Sequence, residues 1–556
     1  MKREIIKPNI LFSSPWGYYS KLPIEKDPID FFYYRNTLKQ GPFQLRIFQS
    51  WHSLHFLAQN LPVNAVVLEN PTPKAFKSEI RKDNYQIAAF SFNFLLSENV
   101  LEMAQWLKSE FPHIKIILGG YGTALFKENF PLGDKLKQTV DCICYGEGIE
   151  FFKNYLSEKW NVKSNSHAFT QSLLPNVQSF FRTPIPMFKQ MVFVKSLGCL
   201  AGCNFCATSY HFKKRVIHLF YPDQLFNEIK KEAKKYPRIK SAVIYDEDFL
   251  ANPDNIEALK EGFRENDDLR NRPLHFTVFT SIHSLQQYSI KDLIEAGIGT
   301  LYIGVESLQE EVIQKEKMWK REGSVSEIFE EIHRNGINTL GSLIVGWDNQ
   351  TITDAEKDAD AFVKLNPTFY QIVPLHPVPG TPLWKRVKKE ARIMQNYKIE
   401  DDGVGSFIFD LKNMSIKNAL SLISKTYQNL VNEGGPWPFR LAENQLAGYL
   451  SLRSKTEKIF LERAESYRKM LLQILPFALS SRLFFRGDSF KNRWKKFISD
   501  VRKFFPFGFY ISFLLSPFIL AFLLALVGFG NLIYLFNPQG GQPTQIRMVY
   551  PERTEN

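Results

Sequence analysis

Short apolar runs alternate with longer segments over much of the chain, and this alternation is the feature that most constrains its fold. The first series of runs lies at residues 9–13, 65–68, 87–91, 115–118 and 142–144. Each run has the length of a buried strand, and residues 100–107 between two runs have helical apolar spacing. Buried strands that alternate with helices form parallel sheets covered on both faces. Residues 1–165 are therefore predicted to form a Rossmann-like, doubly wound parallel sheet.

A second series follows residues 166–190, which are rich in Ser, Asn, Gln and Pro and are predicted to be a linker. Its runs lie at residues 191–194, 241–245, 275–280, 300–306, 340–345 and 369–373. The intervening segments are long enough for crossover helices. Six such units predict a partial (β/α)6 barrel over residues 191–395, with its active site at the carboxyl ends of the strands.

Three cysteines follow the first strand of the second series. Cys199, Cys203 and Cys206 have the spacing C-x-x-x-C-x-x-C. Iron of an iron–sulfur cluster normally takes four thiolates, so three thiolates leave one iron open for a small ligand. The alternative is a zinc site that His211 or His218 closes.

This loop resembles the signature of the radical S-adenosylmethionine (SAM) superfamily, in which an aromatic residue, here Phe205, precedes the last cysteine. The resemblance implies that the three cysteines hold a 4Fe-4S cluster whose open iron binds SAM. In that family an electron from the cluster cleaves SAM, and the resulting 5′-deoxyadenosyl radical abstracts a substrate hydrogen. An electron donor such as a ferredoxin or a flavodoxin is implied as well.

Residues after the later strands extend the resemblance. Asp246 and Asp248 follow the second strand, where the family binds the SAM amino group, although the usual Gly-Gly-Glu is replaced. Glu306 ends the fourth strand, where a carboxylate of the family accepts ribose hydroxyls, and Gly346 follows the fifth strand. The resemblance implies that these residues and Phe205 contact SAM.

Small residues follow the carboxyl ends of strands in the first series. They are Ser91, Gly119, Gly120, Gly146 and Gly148, with Glu147 between the last two. Ligands of such sheets bind beyond the carboxyl ends of the strands. The layout resembles the N-terminal cobalamin-binding domain of class B radical SAM enzymes, which implies bound cobalamin. The Asp-x-His-x-x-Gly motif for a cobalt-bound histidine is absent, and the alternative is a Rossmann-like domain without cobalamin.

The number and positions of the cysteines indicate the cellular compartment in which the protein folds. Cys142 and Cys144 alternate along one strand, so we expect them to be small core residues on opposite faces. Five cysteines in 556 residues do not suggest a disulfide framework and fit a reducing cytosol. The first residues lack the apolar run of a signal peptide, so the catalytic domains are expected in the cytoplasm.

The carboxyl-terminal part has a different pattern. Residues 396–503 are predicted to be helical and basic, with 15 Lys/Arg and 6 Asp/Glu between Arg440 and Lys503. Residues 504–536 carry no charge over 33 positions, whereas a bilayer core needs ~20 apolar helical residues. A basic segment beside an apolar run favours an anionic membrane surface over nucleic acid. We therefore expect a membrane segment at residues 504–536, followed by a tail at 537–556. Division at Pro506 and Pro517 would leave residues 518–536 as a 19-residue candidate, and a single tilted span and a re-entrant hairpin both fit. A buried soluble helix is the alternative.

Together these features predict a membrane-bound radical SAM enzyme that modifies an unactivated carbon of a lipid or other hydrophobic molecule. Cobalamin, if bound, favours methylation of that carbon. Radical carbon–carbon bond formation or oxidative cyclisation without methyl transfer is the alternative chemistry. A membrane-tethered zinc-binding interaction protein is the alternative of another class, and no nucleic acid is expected as a partner.

Overall fold

The computed structural model describes residues 7–552 except 18–34, 49, 129, 164–168, 181–182, 184, 272–273, 320, 396, 398–404, 486 and 537–544. The strands are β1 (Ile10–Ser13), β2 (Leu45–Phe48), β3 (Ala65–Glu69), β4 (Ile87–Ser91), β5 (Lys115–Gly119), β6 (Cys142–Ile143), β7 (Asn176–Phe180), β8 (Phe188–Val194), β9 (Ser196–Leu197), β10 (Ile217–His218), β11 (Ser241–Tyr245), β12 (His275–Ser281), β13 (Ile298–Glu306), β14 (Asn338–Val345), β15 (Phe369–Pro374) and β16 (Ile546–Tyr550).

The helices that accompany the strands are α1 (His52–Gln59), α2 (Pro73–Lys82), α3 (Ser97–Glu110), α4 (Pro131–Thr139), α5 (Gly148–Trp160), α6 (Ala207–His211), α7 (Pro222–Lys235), α8 (Pro253–Glu265), α9 (Asp267–Asn271), α10 (Ile282–Leu285), α11 (Ile290–Glu295), α12 (Glu310–Lys315), α13 (Val325–Arg334), α14 (Ile352–Leu365) and α15 (Pro382–Lys389). The carboxyl-terminal helices are α16 (Ile416–Gly434), α17 (Trp437–Leu452), α18 (Lys458–Ser480), α19 (Asp488–Phe504) and α20 (Pro506–Phe536).

The first sheet has the strand order β16-β3-β1-β4-β5-β6. Strands β1 and β3–β6 are parallel, and β16 is antiparallel to β3. Alternate residues of β4 enter two apolar cores: Phe90 packs in the same core as Phe76, and Ala89 lies in the core of Leu54 on the other face. The predicted doubly wound sheet is confirmed. Its strand order reverses between β1 and β4, which is where ligands of such sheets bind.

The second sheet has the order β15-β14-β13-β12-β11-β8-β7-β2 and forms a half-barrel. Strands β8 and β11–β15 are parallel, as predicted, while β7 and β2 are antiparallel additions at one edge. Polar side chains line its concave face: Tyr302 donates a 2.6 Å hydrogen bond to Gln371, and Gln190 donates one of 3.1 Å to Thr277. The concave face is therefore a polar-lined space rather than a dry core.

The carboxyl-terminal helices pack on the barrel. At the start of α17, the Trp437 indole donates a 2.7 Å hydrogen bond to the carbonyl of Phe43. The Trp437 backbone donates to Gln40, which donates in turn to the Tyr370 hydroxyl of β15. The helical region, the segment around Gln40 and the barrel edge are thus one packed unit, with Arg440 fully buried among them.

Two predictions and one open alternative about segments differ from the structure. Residues 166–190, predicted to be a linker, contain β7 and the start of β8, and β7 pairs with β2 from the first 165 residues. The predicted tail contains β16, which joins the first sheet. Pro517 does not divide the apolar run, because α20 is continuous from Pro506 to Phe536. Within the described residues one helical stretch, Pro506–Leu532, is long and apolar enough to cross a membrane.

Candidate active site

The cysteine loop lies between β9 and α6 at the mouth of the barrel. Gly198 has φ +87°, and a Cβ at that position would lie 2.1 Å from the Arg215 carbonyl oxygen, so the turn requires glycine. The loop is fixed from two sides: Asn204 donates 3.0 Å and 3.1 Å hydrogen bonds to the carbonyls of Glu316 and Lys315, and accepts one from Leu383. The three thiols are free and partly buried. The barrel therefore presents them on a rigid support.

The electrostatics of the loop favour neutral thiols in the absence of a cation. Burial raises the pKa of Cys199 to about 11 and that of Cys203 to about 12, and it raises the pKa of Cys206 as well. A coordinated metal deprotonates a thiol outright. The loop is thus suited to a cationic centre that converts all three thiols to thiolates.

The zinc alternative required His211 or His218 as a fourth ligand. Within the described residues, no group of three or more His, Cys, Asp or Glu side chains is arranged to hold a single metal ion. The His211 ring packs against that of Tyr121 at a centroid distance of 4.8 Å, and His218 lies 3.2 Å from the Lys195 amine. Both histidines have other contacts.

The acidic residues after β11 differ in what they contact. Asp246 accepts a 2.7 Å hydrogen bond from Ser196 of β9, beside the cysteine loop. Asp248 points away, since it accepts hydrogen bonds from Ser284 at 2.9 Å and from the Ser281 backbone at 3.2 Å. Asp248 therefore joins two barrel strands, and its oxygens are already engaged by the protein.

Glu247, between these two aspartates, was not predicted and has the environment of a functional group. Burial, followed by the charge of Asp246, raises the pKa of Glu247 to about 7, while a hydrogen bond to Thr208 opposes the shift. Its charge also contributes to the raised pKa of Cys199 and Cys206. Glu247 therefore faces the cysteine loop. The prediction of Asp246 and Asp248 followed an acidic pattern that does not tell which of three consecutive residues points inward.

Glu306 ends β13 in an unusual backbone conformation. Its φ is +58°, and the register of β13 against β14 shifts between Gly304 and Glu306. The side chain is partly buried and accepts a 3.0 Å hydrogen bond from Ser342, and desolvation raises its pKa. Left-handed conformations of non-glycine residues are costly and concentrate at functional sites. The strain aims the Glu306 carboxylate into the barrel.

Phe205 and Gly346 lie close together at the same mouth. The Phe205 ring packs edge-on against Trp347, with ring centroids 5.3 Å apart. Gly346 has φ +108°, and a Cβ there would lie 2.6 Å from the Phe407 ring. The buried Trp347 indole nitrogen has no hydrogen-bond partner in the described part of the chain. An acceptor from a bound ligand would satisfy it.

A cavity of about 450 Å³ separates the first sheet from the barrel mouth. All six residues that were predicted around it line it: Ser91, Gly119, Gly120, Gly146, Glu147 and Gly148. A Cβ at Gly120 would lie 2.8 Å from the Phe92 carbonyl oxygen, so this wall has no room for a side chain. From the barrel side, Leu197, Phe212 and Tyr245 complete the lining. The glycine cradle and the apolar wall suit a large, flat ligand.

The cavity wall also includes residues that were not predicted, and one predicted residue has another role. Tyr121, His52 and Cys144 line the cavity, and Tyr121 shares a 3.1 Å hydrogen bond with Thr208. Cys144 is thus a wall of the cavity as well as a buried residue. The Glu147 carboxylate accepts hydrogen bonds of 2.6 Å and 2.7 Å from the backbone of Ile149 and Glu150, so it caps α5.

A second, larger cavity of about 1050 Å³ lies at the amino ends of the barrel strands. It is bounded by Thr277 and Thr300 of the barrel and by one face of α18, which includes Ser466 and Phe477. His275 at its wall shares a 2.8 Å hydrogen bond with Ser466. The half-barrel is therefore accessible from the end opposite to the cysteine loop.

Residues 193–362 match the model of the radical SAM superfamily. An uncharacterized methyltransferase of Pyrococcus horikoshii is 23% identical over 289 residues, which cover 50% of this chain and 58% of the relative. The bacteriochlorophyllide d C-12(1)-methyltransferase of Chlorobaculum tepidum is 22% identical over 363 residues, 60% of this chain and 75% of that protein. The chain spans about half the length of the first two curated relatives it matches.

Two solved structures resemble this fold over most of the chain. The methyltransferase TsrM from Kitasatospora setae, solved with cobalamin and a 4Fe-4S cluster, aligns with a TM-score of 0.55 at 12% identity over 84% of this chain and 99% of TsrM. The cobalamin-dependent enzyme OxsB, solved with aqua-cobalamin and SAM, aligns with a TM-score of 0.52 at 13% identity over 89% of this chain and 75% of OxsB. At these identities the likeness concerns the fold. Together with the family match and the cysteine loop at the barrel mouth, this likeness shows that residues 193–362 form a region similar to the radical SAM superfamily.

Proposed function

We propose that this protein is a cobalamin-dependent radical SAM methyltransferase that acts on an unactivated carbon of a hydrophobic molecule. The observation that carries the proposal is the cavity between the glycine turns of the first sheet and the mouth of the barrel. Its barrel side is formed by residues next to the cysteine loop, such as Leu197 and Phe212. One site can therefore bring two cofactors together.

In this proposal Cys199, Cys203 and Cys206 hold a 4Fe-4S cluster. The C-x-x-x-C-x-x-C spacing of the three free thiols and their position on one loop at the barrel mouth support a multinuclear centre. When bound, the cluster, SAM and cobalamin supply the radical and the methyl group. The contribution of the chain is to hold these groups in fixed positions and to exclude water.

The SAM site is proposed at the barrel mouth. Glu306 is aimed inward by its strained backbone, and Phe205, Gly346 and Asp246 surround the same opening. We add Glu247, because a carboxylate that interacts with the cysteine loop can pair with the positive charges of SAM. Asp248 contributes by positioning β11 against β12 rather than by contacting SAM.

The cobalamin site is proposed at the glycine cradle. Gly119, Gly120 and Gly146 offer backbone surface to a corrin ring, while Ser91 offers a hydroxyl. Glu147 shapes this wall indirectly by capping α5. The turns around Gly120 and Gly146 have φ +89° each, so their shape depends on glycine.

The electron donor is proposed to be a small acidic protein such as a ferredoxin or a flavodoxin. Lys213, Lys214 and Arg215 are exposed, and the Arg215 backbone packs against Gly198 of the cysteine loop. Leu200, 64% exposed, lies at the tip of this loop. An apolar tip ringed by cations suits a transient, charge-steered electron-transfer encounter.

A hydrophobic or lipid substrate and association with a membrane complete the proposal. Their support is the apolar helix α20, whose outward face is uncharged and exposed. The large cavity at the amino ends of the barrel strands has apolar walls from Phe477 and Ile474, which suits the entry of such a substrate.

The test is anaerobic turnover by the full-length, reconstituted protein with lipid extract and SAM that carries a deuterated methyl group. We expect 5′-deoxyadenosine and a lipid product that has gained one labelled methyl group, both absent with Cys203→Ala. A product that has lost two hydrogens without a methyl group would replace methylation by oxidative cyclisation. Cluster-replete protein that cleaves no SAM would overturn the proposal.

A further inference from the structure

The segment after α20 returns to the first sheet. Strand β16 pairs antiparallel with β3, with Tyr550 opposite Ala65. Side chains reinforce the pairing: Arg547 makes two 2.8 Å hydrogen bonds to the buried Glu79 carboxylate. The amino end of α20 packs on α18, whereas the chain beyond its carboxyl end is part of the amino-terminal sheet. Both ends of the apolar helix are thus attached to the same body.

The helix also lies along that body. One stripe of α20 faces the body, with buried positions at Phe509, Ser512, Leu523, Leu526 and Gly530 and partly buried positions at Ser516 and Ile519 between them, so that inward positions recur every three or four residues. At 1.5 Å per residue this stripe is about 30 Å long. It packs on α18, on residues 41–43 and on β7. The contact begins at Gly508, where a Cβ would lie 2.5 Å from Leu472.

The opposite face of α20 is apolar and open. Its exposed large residues are Phe507, Tyr510, Ile511, Phe513, Leu514, Leu515, Phe518, Phe522, Leu524, Phe529, Leu532, Leu535 and Phe536. Such a patch is far larger than the scattered apolar residues of an ordinary soluble surface. The preceding helix α19 adds exposed cations at Lys495, Lys496, Arg502 and Lys503.

We propose that α20 lies in the plane of the membrane surface, with its exposed face at the headgroup–acyl boundary and both ends on the side of the catalytic body. The proposal rests on the membrane association in the proposed function and specifies its geometry. Apolar side chains on one face with nearby cations are typical of a helix that binds an anionic interface.

A membrane span does not fit the same contacts. It would carry the carboxyl end of α20 to the far side of a bilayer about 40–45 Å thick. The nine residues 537–545 between α20 and β16 reach at most about 32 Å when fully extended. A span would therefore separate β16 from β3 and remove the buried stripe from α18. In-plane binding preserves both contacts.

The first test measures binding to vesicles of phosphatidylethanolamine and phosphatidylglycerol by flotation of the full-length protein. We expect Leu514→Glu/Phe518→Glu, on the exposed face, to reduce flotation at least tenfold. The control Leu420→Glu adds a charge at an exposed leucine of α16 and should float normally. A concentration-dependent dimer that covers the face, without flotation, would overturn the proposal together with the proposed membrane association.

The second test distinguishes in-plane binding of α20 from a membrane span, independently of whether the protein binds membranes. Protease-cleavable tags before Met1 and after Asn556 are probed in sealed, inverted membrane vesicles from cells that produce the protein. We expect both tags to be cleaved without detergent. Cleavage of the amino-terminal tag alone would make α20 a span: the in-plane geometry would fail while membrane association stood. SAM cleavage by the same preparations reports on the proposed chemistry independently.

Discussion

Tyr121 and Thr208 share a 3.1 Å hydrogen bond that joins the carboxyl end of β5 in the first sheet to α6, the helix after the cysteine loop. Thr208 also bonds to Glu247 at the end of β11. The proposed cobalamin and SAM sites are thus connected through one threonine hydroxyl. Residues from the first sheet, the cysteine loop and the barrel determine together how the two sites face each other.

Tyr121→Phe tests this connection. The ring remains stacked on His211, while the hydroxyl is lost, and a neutral hydrogen bond contributes about 1 kcal/mol net. We therefore expect cobalamin affinity, followed by absorbance titration, to fall roughly fivefold, with cluster content unchanged. Tyr145→Phe, at a half-exposed tyrosine beyond this network, should bind cobalamin normally. Equal affinity in both variants would show that the bond does not shape the site.

Gly120→Ala tests the cradle. The added Cβ would lie 2.8 Å from the Phe92 carbonyl oxygen and 2.9 Å from the Ser91 hydroxyl, so the wall must move. We expect a loss of cobalamin uptake in protein that keeps its iron. Gly323→Ala is the matched control, because Gly323 has φ +64° but nothing within 4 Å of the added carbon. If both variants lose uptake alike, backbone strain rather than the cavity wall is responsible.

Alanine at Cys199, Cys203 or Cys206 tests the cluster assignment. Each thiolate is one of three proposed ligands, so each variant should lose the visible iron–sulfur absorbance and 5′-deoxyadenosine formation after anaerobic reconstitution. Cys142→Ala, at a partly buried thiol on β6, should retain both. Retention of a normal cluster by any of the three loop variants would remove that cysteine from the ligand set.

Glu247 should make the stability of the cluster-free protein depend on pH. Its folded pKa of about 7 exceeds the ordinary value of 4.5, so the folded state binds the proton more tightly between these values. Stability is then full below pH 4.5 and falls as pH rises to 7, and solvent screening of this exposed side chain keeps the loss smaller than a buried carboxylate would show. Glu247→Gln should remove this loss and unfold at higher urea at pH 8, with little difference at pH 5. The control Glu158→Gln, at an exposed glutamate, should show the same dependence of stability on pH as the wild type. If Glu247→Gln shows that same dependence, Glu247 is not the group responsible.

Arg215→Glu tests the proposed donor surface. Reversing one exposed charge beside the cysteine loop should slow association with an acidic flavodoxin severalfold, more at low salt than at high salt. Turnover driven by dithionite, which needs no docking surface, should be unchanged. Arg334→Glu, on the distant helix α13, is the control. A flavodoxin-driven rate equal to wild type would place the donor elsewhere.

The regular parts of the fold followed from local sequence. Each parallel strand of the two predicted series is an apolar run, and such a run is buried regardless of which strand it pairs with. Residues 87–91 and 241–245 could therefore be predicted as strands from their own sequence. The glycines at 119–120 and 146–148 likewise marked strand ends, and the structure brings them into one cavity.

The elements that sequence reasoning missed depend on distant partners. Strand β2 pairs with β7 more than 120 residues away, and β16 pairs with β3 across nearly the whole chain. Neither segment has a sequence pattern that indicates which strand it pairs with. Glu247 was missed for a related reason, since the turn after β11, rather than residue type, decides which of three carboxyl groups faces the cysteines.

The pairing of β16 with β3 also orders events during synthesis. Strand β3 lies near the start of the chain, so it leaves the ribosome long before residues 546–550 are made. Until then its hydrogen-bonding edge is open, and open edges are prone to pair with other chains. The amino-terminal sheet therefore stays incomplete while the chain is being synthesised. It can be completed only after α20 and then β16 have left the ribosome. Nascent chains would have to be protected from aggregation through this interval, by a chaperone or by early contact of α20 with lipid.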